Sequence, residues 1–264
     1  MHSENVSEGR EPLIGSSQKS AALIVIGNEI LSGRTKDTNT AWIAETLQGH
    51  GVIFSEVRVI ADDKDAIIRA VHDLRDRYDY VFTTGGIGPT HDDTTAECIA
   101  AAFDTELERN QEALTILEEH YGLEDLTPPR AKMCMMPKGA KLIPNPVSAA
   151  PGFIIGNVYV MAGVPKIMQA MFDFILQEID TGTPILSRTI TCGLAESVIA
   201  PDLGKVQEKF PALQIGSYPN YKNGVLGLSL VVRGTNEQAL ENATREIFQI
   251  VESLGDTPKF LGDV

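Results

Sequence analysis

Cysteine, positive charge and long apolar runs are all scarce in this chain of 264 residues. The three cysteines, Cys98, Cys134 and Cys192, lie far apart, with no CxxC pair and no Cys/His cluster. That spacing excludes a disulfide framework and a zinc site, and it fits a reducing cytoplasm. The strongest apolar run, Ala21 to Ile26, falls far short of the roughly 20 residues that a membrane helix needs. Residues 1–20 lack the basic start and apolar stretch of a signal peptide and are expected to form a flexible extension. Lys and Arg number 22 against 36 Asp and Glu, a net charge of −14 that argues against broad binding to nucleic acid or an anionic membrane. A small basic pocket could still hold a phosphate. Familiar motifs are missing too: no GxGxxG, no GxxxxGK[ST] and no GxSxG. Nicotinamide-binding, P-loop and α/β-hydrolase readings lose their support.

What is present alternates in period. Ala21–Ile26 is short, β-branched and apolar throughout, as a strand buried on both faces would be. Ala41, Trp42, Ala44 and Leu47 follow at helical spacing, then a strand over Val52–Ile60, and a helix striped by Ile67, Ile68, Val71 and Leu74. Tyr78–Thr84 reads as a third strand, and Asp93–Phe103 as a third helix opened by the capping box Thr94-Thr95-Ala96-Glu97. Strand-helix alternation at this spacing predicts a mostly parallel sheet with right-handed crossovers. Beyond it come a helix near Asn110–Tyr121, a loop bounded by Pro128-Pro129, two short strands (Gly152–Ile155, Val158–Met161) and a closing helix over Pro165–Asp180. The pattern resets at Thr181-Gly182-Thr183-Pro184. Residues 182–264 then read strand, helix, strand, strand, helix, a small α+β module with an Asn223-Gly224 hairpin signal. The expected domains are therefore 21–181 and 182–264, after the extension.

Ligands of an open parallel sheet sit outside the carboxyl ends of its strands. Three polar segments fall there: Gly27-Asn28-Glu29 running on to Asp37 and Asn39; Asp62-Asp63; and Thr84-Gly85-Gly86-Ile87-Gly88-Pro89-Thr90-His91-Asp92-Asp93. Glycines 85, 86 and 88 let main-chain N–H groups approach an anion, and the following helix aims its positive end the same way. Asp92 and Asp93 would repel a bare phosphate, a conflict that a divalent cation between carboxylate and phosphate removes. Asp93 and Asp62 are thus the candidate catalytic carboxylates, and Asp93, Asp92 and Asp62 the candidate metal ligands. Thr84, Thr90 and Asn28 are candidate phosphate or ribose contacts. The plainer alternatives are helix caps at Asp62-Asp63 and Asp92-Asp93 and a solvent-facing His91.

The segment Thr83 to Asp93 closely resembles the signature of the MoaB/Mog molybdopterin-binding family. Gly27-Asn28-Glu29-Ile30-Leu31-Ser32-Gly33-Arg34 with Asp37-Thr38-Asn39 matches the opening motif of its CinA (competence/damage-inducible protein A) branch. Ala150-Pro151-Gly152 and Gly163-Val164-Pro165 resemble two further elements of that branch. The resemblance implies a three-layer α/β/α domain with a mostly parallel sheet, followed by a small KH-like α+β domain. It implies a bound pterin or nucleotide contacted by Gly27, Asn28, Glu29, Asn39, Thr84, Gly85, Gly86, Gly88, Thr90, Pro151 and Gly152. It further implies Mg²⁺, with Co²⁺ as a substitute, serving a phosphoanhydride reaction, and assembly as a homo-oligomer. The reaction is either pyrophosphatase action on ADP-ribose or FAD-like substrates or adenylylation of molybdopterin. A non-catalytic, sequestering module is the alternative. The amidase domain of many CinA proteins has no counterpart here, so nicotinamide-nucleotide deamidation is not expected. Two departures touch the substrate loops: Asn145-Pro146-Val147-Ser148-Ala149 lacks the glycine common before the first element, and Met161-Ala162-Gly163 replaces Leu-Pro-Gly. An RNA-binding role for the acidic tail is not expected.

Overall fold

A computed structural model describes residues 18–222 and 225–261. The chain divides into two compact units, one of residues 19–48 and 52–182, the other built on residues 183–264.

The first unit is a six-stranded sheet in the order β2-β1-β3-β8-β7-β6. Strands β1 (Ser20–Ile26), β2 (Ile53–Ile60), β3 (Tyr80–Thr84) and β8 (Val158–Met161) run parallel. Strands β7 (Gly152–Ile155) and β6 (Lys141–Ile143) complete one side antiparallel. β1 alternates its side chains between two cores, which is why it reads as apolar throughout. Ala22, Ile24 and Ile26 meet Ile67, Val71 and Leu74 of α3 (Lys64–Arg75) and Ile99 of α4 (Thr95–Ala102). Ala21, Leu23 and Val25 meet Ile43 and Leu47 of α2 (Asn39–Gly49) and Phe172 of α7 (Pro165–Ile175). A helical layer on each face of a mostly parallel sheet is the expected α/β/α class.

Several local expectations need correction. Residues 18–20 belong to the fold, since Ser20 opens β1 and both its N–H and hydroxyl donate to Asp79 at 2.8 Å. Residues 1–17 of the expected extension lie outside the described residues. Gly27 to Arg34 holds a one-turn helix α1 (Asn28–Leu31) instead of loop alone. The Thr94 capping box does not form, because Thr94 makes no side-chain cap bond and the Thr95 hydroxyl donates to the Gly85 carbonyl at 3.0 Å. Three-residue strands β4 (Leu107–Arg109) and β5 (Met135–Pro137) and the short helix α6 (Pro128–Lys132) fill the stretch read as helix and loop. Between β4 and β5 lies α5 (Gln111–Tyr121), capped by Asn110.

The second unit is a four-stranded antiparallel sheet, β10-β11-β9-β12, from β9 (Leu186–Cys192), β10 (Gln214–Lys222), β11 (Val225–Gly234) and β12 (Lys259–Leu261). Helices α8 (Glu196–Lys209) and α9 (Glu237–Ser253) cover it and share the core of Ile199, Leu230 and Ile247. Lys222 pairs with Val225 across the expected hairpin, while its Asn223-Gly224 turn lies outside the described residues. Val225, Leu226 and Gly227 open β11. Among the described residues, no helix is long and apolar enough to cross a membrane.

Candidate functional site

All four parallel strands end on one edge, so Gly27, Asp62, Gly85 and Gly163 follow their carboxyl ends side by side. The order β2-β1-β3 makes the gap between β1 and β3 a topological switch point, where ligands of such sheets bind. A cleft of about 640 Å³ opens there, within the range of small-molecule sites.

Its floor is the glycine turn. Gly85 has φ +106° and Gly86 φ +68°, both in the left-handed region. A Cβ on Gly85 would lie 2.1 Å from the Ile26 carbonyl oxygen, and one on Gly86 would lie 2.1 Å from Thr95 Oγ1. Thr95 locks the turn from the other side, its N–H donating to the Gly86 carbonyl at 3.0 Å. So held, the amides of Gly86, Ile87 and Gly88 donate to no acceptor among the described residues. Buried or half-buried N–H groups are seldom left unspent unless a ligand or solvent takes them. The N-terminus of α7 lines the same cleft with Gly163, Val164 and Pro165, without a side-chain cap.

Carboxylates face these donors. Glu29, Asp62, Asp92 and Asp93 line the cleft. Asp63, not Asp62, caps α3 by accepting from the Ala66 N–H at 2.9 Å. Asp62 instead accepts the Asn28 N–H at 2.8 Å through Oδ2. Asp93 accepts the Thr90 N–H at 2.8 Å through its own Oδ2, and the Thr90 hydroxyl lies 2.5 Å from both Asp92 Oδ1 and Asp93 Oδ2. That hydroxyl, helped by the Asp92 amide, holds the Asp92 carboxyl below the usual carboxylate range. Lys132 Nζ donates to the Thr90 and Asp93 carbonyls at 2.7 and 2.8 Å and ties the loop to α6.

No three His, Cys, Asp or Glu side chains among the described residues are grouped to hold a metal ion. Asp62, Asp92 and Asp93 are therefore not a ready-made ligand set. Among the described residues, Asp62 and Asp93 each keep one oxygen free of a donor, which suits Mg²⁺, an ion that takes one or two carboxylates and completes its shell with phosphates and water.

The other expected residues lie beside the cleft. Asn28 and Thr90 act on the carboxylates rather than line it, and His91 is 98% exposed. Thr84 and Asn39 border an adjoining cavity of about 60 Å³ that shares Glu29 and Gly163 with the cleft, each with a buried oxygen, Thr84 Oγ1 and Asn39 Oδ1, that has no partner among the described residues. Asn39 also donates to the Gly163 carbonyl at 2.9 Å, bracing the cleft from behind. Pro151 lines a neighbouring pocket with Lys132 and Met133. Gly152 is a sheet residue whose Cβ would meet the Val160 carbonyl oxygen at 2.3 Å, so the glycine serves strand packing.

Tyr121, Arg130 and Met133, which no motif marked, line the cleft, as do Asn145 and Ser148 of the loop expected to border the substrate. Asn145 is a buried hub: its Nδ2 donates to Ser148 Oγ and to the Ala150 carbonyl, both at 2.8 Å. The dipeptide Pro128-Pro129 was a usable signal for Arg130, since proline in the first turn opens α6.

Comparison with known proteins agrees with this geometry. Residues 22–181 match the family described as "probable molybdopterin binding domain", and residues 184–254 match "FAD synthase, middle domain". A protein of Pyrobaculum arsenaticum is 33% identical over 90% of this chain and 96% of its own length. A CinA-like protein of Desulforapulum autotrophicum is 34% identical over 74% of this chain and 50% of its own length. The crystal structure of CinA from Thermoplasma acidophilum, described as of unknown function, is 39% identical with a TM-score of 0.58, covering 62% of this chain and 99% of that one.

Proposed function

This chain belongs to the molybdopterin-binding domain family and is CinA-like, and from that premise we propose a Mg²⁺-dependent enzyme that acts on the phosphoanhydride of a nucleotide or pterin ligand. One observation carries the proposal: three unspent main-chain amides, at Gly86, Ile87 and Gly88, share a cleft with the carboxylates of Asp62 and Asp93. Donors alone would suit any anion, and carboxylates alone would suit any cation. Together they suit an anion that arrives with a cation.

In this reading the three amides and the α7 N-terminus bind the phosphate oxygens, and Asp62 and Asp93 hold the ion. Mg²⁺ bound there neutralises phosphate charge and polarises the phosphoryl oxygen. The chain's own part is to fix the phosphorus for in-line attack, which is mostly a matter of position. In hydrolysis a water oxygen bonds to phosphorus as the bridging P–O bond breaks, and the water's proton leaves to solvent. In adenylylation a pterin phosphate oxygen attacks the α-phosphorus of ATP and pyrophosphate departs. The match of residues 184–254 to an FAD-synthase domain supports FAD-like dinucleotides among the substrates.

A second reading, a module that binds such a ligand without turning it over, draws on the tying of Asp62 and Asp93 to main-chain amides and the lack of a preassembled ligand group among the described residues. One assay separates the two. Protein incubated with Mg²⁺ or Co²⁺ and ADP-ribose, FAD, or ATP plus molybdopterin is expected to release AMP or pyrophosphate. Binding without product across that panel would establish the sequestering role. Asp93→Asn, which removes a carboxylate proposed to hold the ion, is expected to abolish metal-dependent turnover while the fold persists. We further propose that the protein works as a homo-oligomer in the cytoplasm, which mass measurement in solution and cell fractionation would check.

A further inference from the structure

The cleft extends beyond the phosphate cradle to a part of the molecule that no motif marked. Tyr121 closes α5 and Arg130 sits in α6, and both line the cleft. The Arg130 guanidinium carbon stands 4.3 Å from the centre of the Tyr121 ring, while His120 packs edge-on against the same ring at 4.7 Å and 83°. Arg130 also donates to the Asp125 carbonyl at 2.7 Å, which fixes the side chain with no acidic partner among the described residues. Among the described residues it is the one cation whose side chain lines a cleft that holds four carboxylates. Lys132, two residues on, clamps this short helix to the Thr90–Asp93 loop, so the distance from the stacked pair to the cradle is set by the fold.

A guanidinium stacked on a tyrosine ring presents a flat, polarisable and weakly hydrated surface. Met133 and Ile87 line the same cleft, adding a soft apolar edge. With its guanidinium held by the Tyr121 ring and the Asp125 carbonyl, this wall offers a stacking face to a planar nitrogen heterocycle. We propose that Arg130 and Tyr121 form the subsite for the ring of the ligand, whether a purine or a pterin, and thereby determine specificity at the end remote from the phosphates. The proposal rests on the function proposed above and adds to it the place of the ring.

Calorimetric titration of the full chain in Mg²⁺ with ADP and, separately, with inorganic pyrophosphate tests it. Arg130→Met and Tyr121→Leu are each expected to weaken ADP about tenfold, the size of a lost base stack, while pyrophosphate binding stays unchanged. Tyr121→Phe keeps the ring and is expected to bind ADP like the parent. Unchanged pyrophosphate binding also reports an intact cradle, so the variants control for their own folding. ADP bound equally well by the parent and both variants would overturn the ring subsite alone. Loss of both ligands in Arg130→Met with unaltered circular dichroism would overturn it too, by making Arg130 a phosphate contact. Failure of the parent to bind either probe would sink the phosphoanhydride reading together with this one.

Discussion

Ala149 has φ +65°, a conformation that costs an L-residue about 1 kcal/mol or more. The buried Asn145 hub holds it there, with the Ala149 N–H donating to the Asn145 carbonyl at 3.0 Å. Ala149→Gly is expected to relieve this strain, with a net gain of up to about 1 kcal/mol after the added freedom of the unfolded chain is subtracted. Chemical denaturation would show a higher midpoint and an unchanged slope. A second residue of this kind is Asp79. Its carboxylate accepts from the Ser20 N–H, which chiefly holds its pKa below the ordinary range, aided by the Ser20 hydroxyl and Lys19. A depressed carboxylate contributes stability above its unfolded pKa and loses it as pH falls through the folded one. Asp79→Asn is thus expected to cost about 1–2 kcal/mol near neutrality and progressively less as pH falls below the ordinary carboxylate range, visible as a flatter acid limb in thermal melts.

At the scale of elements, α6 has five residues yet joins two parts of the cleft. Lys132→Met removes both bonds to the Thr90 and Asp93 carbonyls and is expected to raise the Mg²⁺ concentration for half-maximal activity roughly tenfold. Saturating Mg²⁺ would restore turnover if the lysine acts only through the loop. Elements also show what could be read beforehand. β1, β3 and β7 stood out because apolar or β-branched runs ended at glycine, and the cradle stood out because its glycines have no substitute. Gly85 and Gly86 need a positive φ and room that a Cβ would take. The three-residue strands carried no period long enough to detect. Asp62 and Asp63 looked interchangeable, and only the turn geometry assigns one to the α3 cap and the other to the Asn28 amide. Tyr121 and Arg130 come together through the fold of a connecting segment, so no spacing announced their pairing, although Pro128-Pro129 marked the start of α6.

Across the whole molecule, the two units each own a core: Leu23 and Ile24 lie between the helical layers of the first, and Ile247 is fully buried in the second. Ile247→Ala is expected to destabilise the second unit by about 2–5 kcal/mol. Scanning calorimetry should then resolve a transition moved to lower temperature from one left in place. Merging of both transitions in the variant would show a single cooperative block instead. The net charge of −14 bears on kinetics as well. An acidic surface slows the approach of an anionic ligand, so association of ADP should quicken as ionic strength rises, the reverse of a basic nucleotide binder.

The donors at Gly86, Ile87 and Gly88 belong to the peptide backbone. Alanine at Ile87 would leave that amide in place, and alanine at Gly86 would disturb the turn through its Cβ, reporting on packing and not on the donor. Only a change that deletes the amide hydrogen itself, such as Ile87→Pro, would expose their share. A descendant of this chain that lost its acidic side chains could for the same reason keep its grip on phosphate, and catalysis and capture could part company in evolution by very few substitutions.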